Sequence, residues 1–230
     1  MSLPSQGQSW LRIGLAMFSL ALATPAAWIV LAEFYHPHGI RFPTDRHTGF
    51  VTRLERDNVK RAASLAVVRG DLWAESAFTY AELLWTDRAL ALDAKDELNQ
   101  EALKDLQRAL QYSPHRGDVW LMFAAVVDRF HIPGYQPSSL LKMSYYTAPN
   151  ELALLPLRLS VSLRATGIQD PEIQDLVKRD IRIVLTRAPA LKPDLAAAYK
   201  TASPQGKAFV ERVVEEVDPA YAGTVRAGSQ

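Results

Sequence analysis

The chain has 230 residues, of which 48% are hydrophobic and 22% charged, with 26 Lys+Arg against 25 Asp+Glu and no cysteine. A formal charge of +1 argues against a dedicated nucleic-acid binder, which needs a strongly basic face. The lack of cysteine excludes disulfides, thiolate zinc sites, iron–sulfur clusters and Cys nucleophiles.

Residues 1–12 read as a short leader, and Arg12 is the only charged side chain before Glu33. Residues 13–32 form an uncharged apolar run. Twenty residues at 1.5 Å each reach about 30 Å, the hydrocarbon thickness of a bilayer. Trp10 and Trp28 stand near its ends, with Phe34 and Tyr35 just beyond, as in an aromatic belt. Pro25 would kink such a helix, which membranes tolerate. The rival reading is a cleaved signal peptide with its small-x-small site at Ala21-Leu22-Ala23, but the apolar run continues through Trp28 to Ala32 and favours an uncleaved anchor. Arg12 on the short side and Arg41 and Arg46 on the long side encode orientation weakly. A short leader before one apolar helix favours the amino terminus inside. In a bacterium this gives a single-pass inner-membrane protein with a periplasmic domain.

Residues 33–49 read as a linker, broken by Pro37, Gly39, Pro43 and Gly49. His36, His38, His47 and Glu33 could in principle ligate a metal. Nothing in a Pro/Gly-broken stretch fixes their geometry, so no metal and no cofactor are expected. Residues 50–216 read as an all-α domain, because good helix formers dominate and no alternating run of β-branched residues occurs. Helices are predicted at 50–68, 71–92, 95–112, 117–130, 137–147, 151–166, 171–187, 192–201 and 204–216. Asp170-Pro171, Ser203-Pro204 and Asp218-Pro219 each set a capping side chain before a proline that fits the first helical turn. Residues 217–230 are expected to be a flexible tail.

Three segments share an ending of small or branched residue, apolar residue, three residues, proline. Their prolines are Pro114, Pro149 and Pro189. Gly70-Asp-Leu-Trp73 is also echoed by Gly117-Asp-Val-Trp120. A period in this range signals stacked helix pairs. Ala102, Leu106, Ala109, Leu110 and Pro114, followed by Trp120, Phe123, Ala124 and Val127, resemble the second helix of one tetratricopeptide repeat and the first helix of the next. Leu155 and Leu159 depart from that pattern in the third pair, as does Pro137 in the second. The resemblance implies stacked antiparallel helix pairs, a degenerate tetratricopeptide-like solenoid behind a single transmembrane helix. The plan also resembles membrane-anchored repeat proteins of bacterial envelopes, some of them associated with surface-polysaccharide assembly.

No catalytic constellation is visible. There is no phosphate-binding glycine loop, nucleophile elbow or His-Glu-x-x-His. Asp93, Asp96, Glu97 and Glu101 suit a helix start, where the macrodipole favours them. The expected function is therefore binding of a protein partner, without enzyme activity. By the resemblance, the inner surface of the stack would present Asp118, Leu121, Ala125, Asp128 and Arg129, with Asp71, Ala74, Phe78 and Glu82 from the pair before. The competing readings are a structural subunit of a larger membrane complex, and a ligand-binding or enzymatic helical domain acting on envelope glycans.

Overall fold

The computed structural model describes residues 5–36, 40, 42–43, 53–80, 92–164 and 167–227. The described residues form eleven α-helices, two short 3₁₀ turns and no strand.

Helix α1 (Ser5–Tyr35) is a single rod of 31 residues, about 46 Å long. Its apolar side chains from Trp10 to Leu31 are exposed all round, and of its described side chains only Ala32 is buried. A helix that is apolar on nearly every face and so little covered is consistent with a single-pass anchor or a signal sequence. The candidate span by length and hydropathy is Trp10–Tyr35.

The end of α1 docks on the next two helices. The Trp28 indole N–H donates to the Leu65 carbonyl at 2.6 Å in α2 (Arg53–Ala66). Arg69 pairs with Glu33 at 2.9 Å, and His36 bonds Glu75 in α3 (Gly70–Phe78). These contacts climb α1 and α3 together, so α3 runs parallel to α1 and α2 runs back against both. Helix α2 buries Val59, Ala62, Ala63 and Ala66, a stripe at helical spacing whose small residues allow close approach.

The remaining helices are α4 (Leu92–Tyr112), α5 (Gly117–Phe130), α6 (Pro137–Thr147), α7 (Leu155–Ser162), α8 (Pro171–Thr186), α9 (Lys192–Thr201), α10 (Pro204–Val217) and α11 (Pro219–Ala227). From α2 onward, helices adjacent in sequence pack on each other. Beyond that, α5 touches α7, α7 touches α9, α6 touches α8 and α8 touches α10. One core cluster runs continuously from Ala32 to Val225.

The predicted helices at 117–130, 137–147 and 192–201 have those bounds in the structure. Pro171 and Pro204 start their helices, with Asp170 and Ser203 accepting from backbone N–H groups of the first turn. Two expectations fail. The helix expected at 151–166 is α-helical only over Leu155–Ser162 and is entered by a 3₁₀ turn, Leu152–Leu154. Pro156 explains this, since a proline fits only the first turn of a helix. The stretch expected to be a flexible tail contains α11, which buries Ala222 and Val225 against the core. Its Tyr221 hydroxyl donates to the Lys192 carbonyl at 3.1 Å. The helix expected at 71–92 is described only as far as Phe78 and a following turn.

Candidate interaction groove

The face under consideration is built from a corner that occurs twice. In the first copy the Arg69 guanidinium grips Asp71 with two hydrogen bonds, of 3.3 and 2.6 Å. In the second, Arg116 grips Asp118 in the same way. The Trp73 indole donates to the Val67 carbonyl at 2.9 Å, and the Trp120 indole donates to the Pro114 carbonyl at 2.7 Å, six residues back in both cases. The glycine between each Arg and Asp meets the end of a later helix. A Cβ on Gly70 would overlap the Ser113 side chain and lie 3.0 Å from the Ala109 carbonyl oxygen. One on Gly117 would overlap the Ala148 methyl and lie 3.0 Å from the Ser144 carbonyl oxygen. Each corner thus seats the start of one helix on the last turn of the helix that follows it. Burial opposes the Asp71 charge, but the Arg69 guanidinium outweighs it and holds the carboxyl below its ordinary range.

The residues assigned to an inner surface do not form an open groove. Ala74, Phe78, Leu121 and Ala125 are all buried. Asp128 is buried too, and pairs with Arg164 at 2.8 Å. Arg129 is half-buried, and Glu82 lies outside the described residues. Asp71 and Asp118 also keep partial exposure, each inside its arginine clamp. Leu121 and Ala125 are core because α5 is enclosed by α4, α6 and α7. A strongly apolar helix of this kind buries most of its circumference.

Phe78 is covered differently, by the segment expected to be a solvated linker. Ile40 and Phe42 pack against the core, and Pro43 is buried. The Phe42 ring meets Phe78 edge-on, with centroids 5.4 Å apart and planes at 86°. The Arg116 guanidinium lies 5.7 Å from the same Phe78 ring. Beside Phe42 a cavity of about 290 Å³ opens between Gly117, Asp118, Ala148, Glu151, Ala153 and Leu154. Its walls are mainly apolar, with Glu151 exposed at the rim. Such a site can accept an apolar side chain and place an acidic group beside its neighbour. Phe42 and Arg116 were not among the candidate residues. An Arg before Gly-Asp in both copies was a readable signal for Arg116, but no local pattern pointed to Phe42.

Two polar clusters are sealed in the core. Arg158 in α7 donates to the Ser144 carbonyl at 2.6 Å and the Ala148 carbonyl at 2.9 Å, capping the end of α6, and its guanidinium stacks 4.5 Å from the Tyr145 ring. Nearby Asp180 is pushed up to about 6 by burial, against the pull of Arg158 and Arg179. The Tyr145 hydroxyl sits close enough to favour the Asp180 carboxylate without the geometry of a full hydrogen bond. In the other cluster Ser76 donates to Asp105 at 2.7 Å, and burial raises the Asp105 carboxyl. Neither cluster opens to solvent in a way that admits a substrate, since Arg158, Asp180, Ser76 and Asp105 are all buried. Among the described residues no group of three or more His, Asp or Glu is placed to hold a metal ion. His36, considered as a ligand, instead ties Glu33 to Glu75. No protein-family model, curated protein or solved structure matches this chain.

Proposed function

We propose that this chain is a membrane-anchored helical-repeat scaffold that binds an extended segment of a partner protein. The binding face is the one lined by α3, the start of α5 and the Leu152–Leu154 turn. The observation that carries the reading is the seat of Ile40, Phe42 and Pro43. The Phe42 ring already rests on Phe78 and borders a cavity, so the face suits a peptide with a protruding aromatic anchor. The two Arg-Gly-Asp-x-Trp corners and the contacts between alternate helices support a degenerate tetratricopeptide-like stack of antiparallel pairs.

In this reading α1 is an uncleaved single-pass anchor with its amino end inside. The domain then lies in the periplasm of a bacterium, where a scaffold of this plan serves envelope or surface-polysaccharide assembly. The anchor raises the effective concentration of membrane-bound partners. The chain's own segment is an occupant that a partner must displace. Because it is tethered, it competes at an effective concentration on the order of millimolar.

The test is a fluorescent peptide copying residues 38–45, titrated against the full chain in detergent micelles. Removing the competing ring with Phe42→Ala should tighten peptide binding by about fivefold, since a half-buried Phe contributes about 1 kcal/mol. Equal binding to both chains, or none to Phe42→Ala at millimolar peptide, would refute the assignment.

A further inference from the structure

Val67 and Val68, in the turn between α2 and α3, are 49% and 69% exposed. Val67 also carries a positive φ of 41°. That left-handed conformation suits Gly or Asn, and a β-branched residue is strained there. Two valines are therefore held outward, the first on strained backbone, at a turn where small polar residues are the norm. The turn is fixed in place, because the Trp73 indole holds the Val67 carbonyl.

Its level is set by α1. Leu65, two residues before the turn, bonds Trp28, and Arg69, one residue after it, bonds Glu33. The apolar run of α1 ends between those two contacts, at Ala32. Trp28 lies about 6 Å along the axis inside that end. The valine turn is thus flanked by the last apolar turn of α1 and by the first charge beyond it. Helix α2 climbs away from this level, so exposed Leu54 near its far end stands up to about 18 Å higher.

We infer that the Val67–Val68 turn is seated in the interfacial layer of a lipid bilayer beside α1, a second point of membrane contact that fixes the domain's tilt on the membrane. The inference rests on reading α1 as a membrane anchor. It differs in kind from the anchor, since the turn does not span. It immerses two apolar side chains at headgroup and upper acyl depth, where Trp28 also sits. Continuity with the apolar surface of α1 identifies the occupant as lipid rather than a partner protein.

The chain has no cysteine, so single cysteines can be placed without background. Leu20→Cys, Leu54→Cys and Val68→Cys in the full chain would each carry an environment-sensitive fluorophore. The host is a vesicle of three parts phosphatidylcholine to one part phosphatidylglycerol, with a spin label on the acyl chain close to the headgroup. The inference predicts blue-shifted emission at Val68→Cys and quenching severalfold stronger than at Leu54→Cys. Water-like emission at Val68→Cys, quenched no more than Leu54→Cys while Leu20→Cys is lipid-immersed, overturns the inference and leaves the anchor standing. Leu20→Cys in water overturns the anchor itself, and the inference with it.

Discussion

Gly117 offers the sharpest test of the repeated corner. Replacing it with Ala adds one methyl at a point where the new carbon would overlap the Ala148 methyl and come within 3.0 Å of the Ser144 carbonyl oxygen. Ordinary carbon contacts lie near 3.5–4.0 Å, so α5 and the end of α6 must part by roughly an ångström. Forcing a methyl into packed structure costs about 1–3 kcal/mol. The gain from replacing Gly in a helix is at most about 1 kcal/mol, and less at a helix start. The balance is a destabilisation of about 1–2 kcal/mol. Gly223 in α11 is the matched control, because a Cβ there meets nothing within 4 Å. Gly223→Ala should keep the propensity gain and stabilise by about 0.5–1 kcal/mol. Urea unfolding of the full chain in mild detergent, followed by circular dichroism, reads both. With a slope of about 2 kcal/mol per molar, Gly117→Ala lowers the midpoint by about 0.5–1 M and Gly223→Ala raises it slightly. Ala148→Gly in the Gly117→Ala background removes the overlapping methyl and restores part of the loss. A Gly117→Ala chain as stable as the parent would show that the glycine is not required by close packing.

Arg158→Met should cost about 1–3 kcal/mol, because it removes the guanidinium hydrogen bonds to the Ser144 and Ala148 carbonyls and one of the two cations that favour the Asp180 charge. Arg158→Lys should rescue little of this in the same urea assay, since one ammonium cannot reproduce the planar fork. Asp180 titrates near 6 when folded, against 3.8 ordinarily, so the folded chain holds an extra proton between those values. Its contribution to stability therefore falls as pH rises from about 4 to 6, by about 2–3 kcal/mol, and Asp180→Asn should remove that loss. Half-buried Asp170 and Asp218 and exposed Glu172 and Glu216 are held low by Lys142, Lys178, Arg182 and Lys192, so they act with the opposite sign. The diagnostic is the difference between the parent and Asp180→Asn profiles; parallel curves would refute it. Asp128→Lys sets a cation against Arg164 inside the core, so it should lower the urea midpoint instead of acting as a clean probe of a binding surface.

The buried faces were legible wherever one periodicity was enough to fix them. Ala102, Leu106 and Ala109 lie at spacings of four and three, and all three are buried. Prolines at helix starts marked α6, α8 and α10 well, because a missing N–H has no consequence there. Pro156 misled in the middle of an apolar stretch, where its own start signal is hidden among leucines. The inner-surface residues failed for a different reason. A helical pattern shows that Leu121 and Phe78 are apolar-facing, but not whether a neighbouring helix or open space lies opposite.

The sequence by itself determined the helical class, the single uncharged span and the repeated Gly-Asp-x-Trp motif, since each depends on residues within a few turns of one another. The tertiary structure alone decided that Phe42 covers Phe78, that Asp128 meets Arg164, that Arg158 caps α6, and that α11 packs instead of fraying. The first two join residues 36 positions apart. Such partners are brought together by the path of the whole chain, and local spacing carries no record of that path.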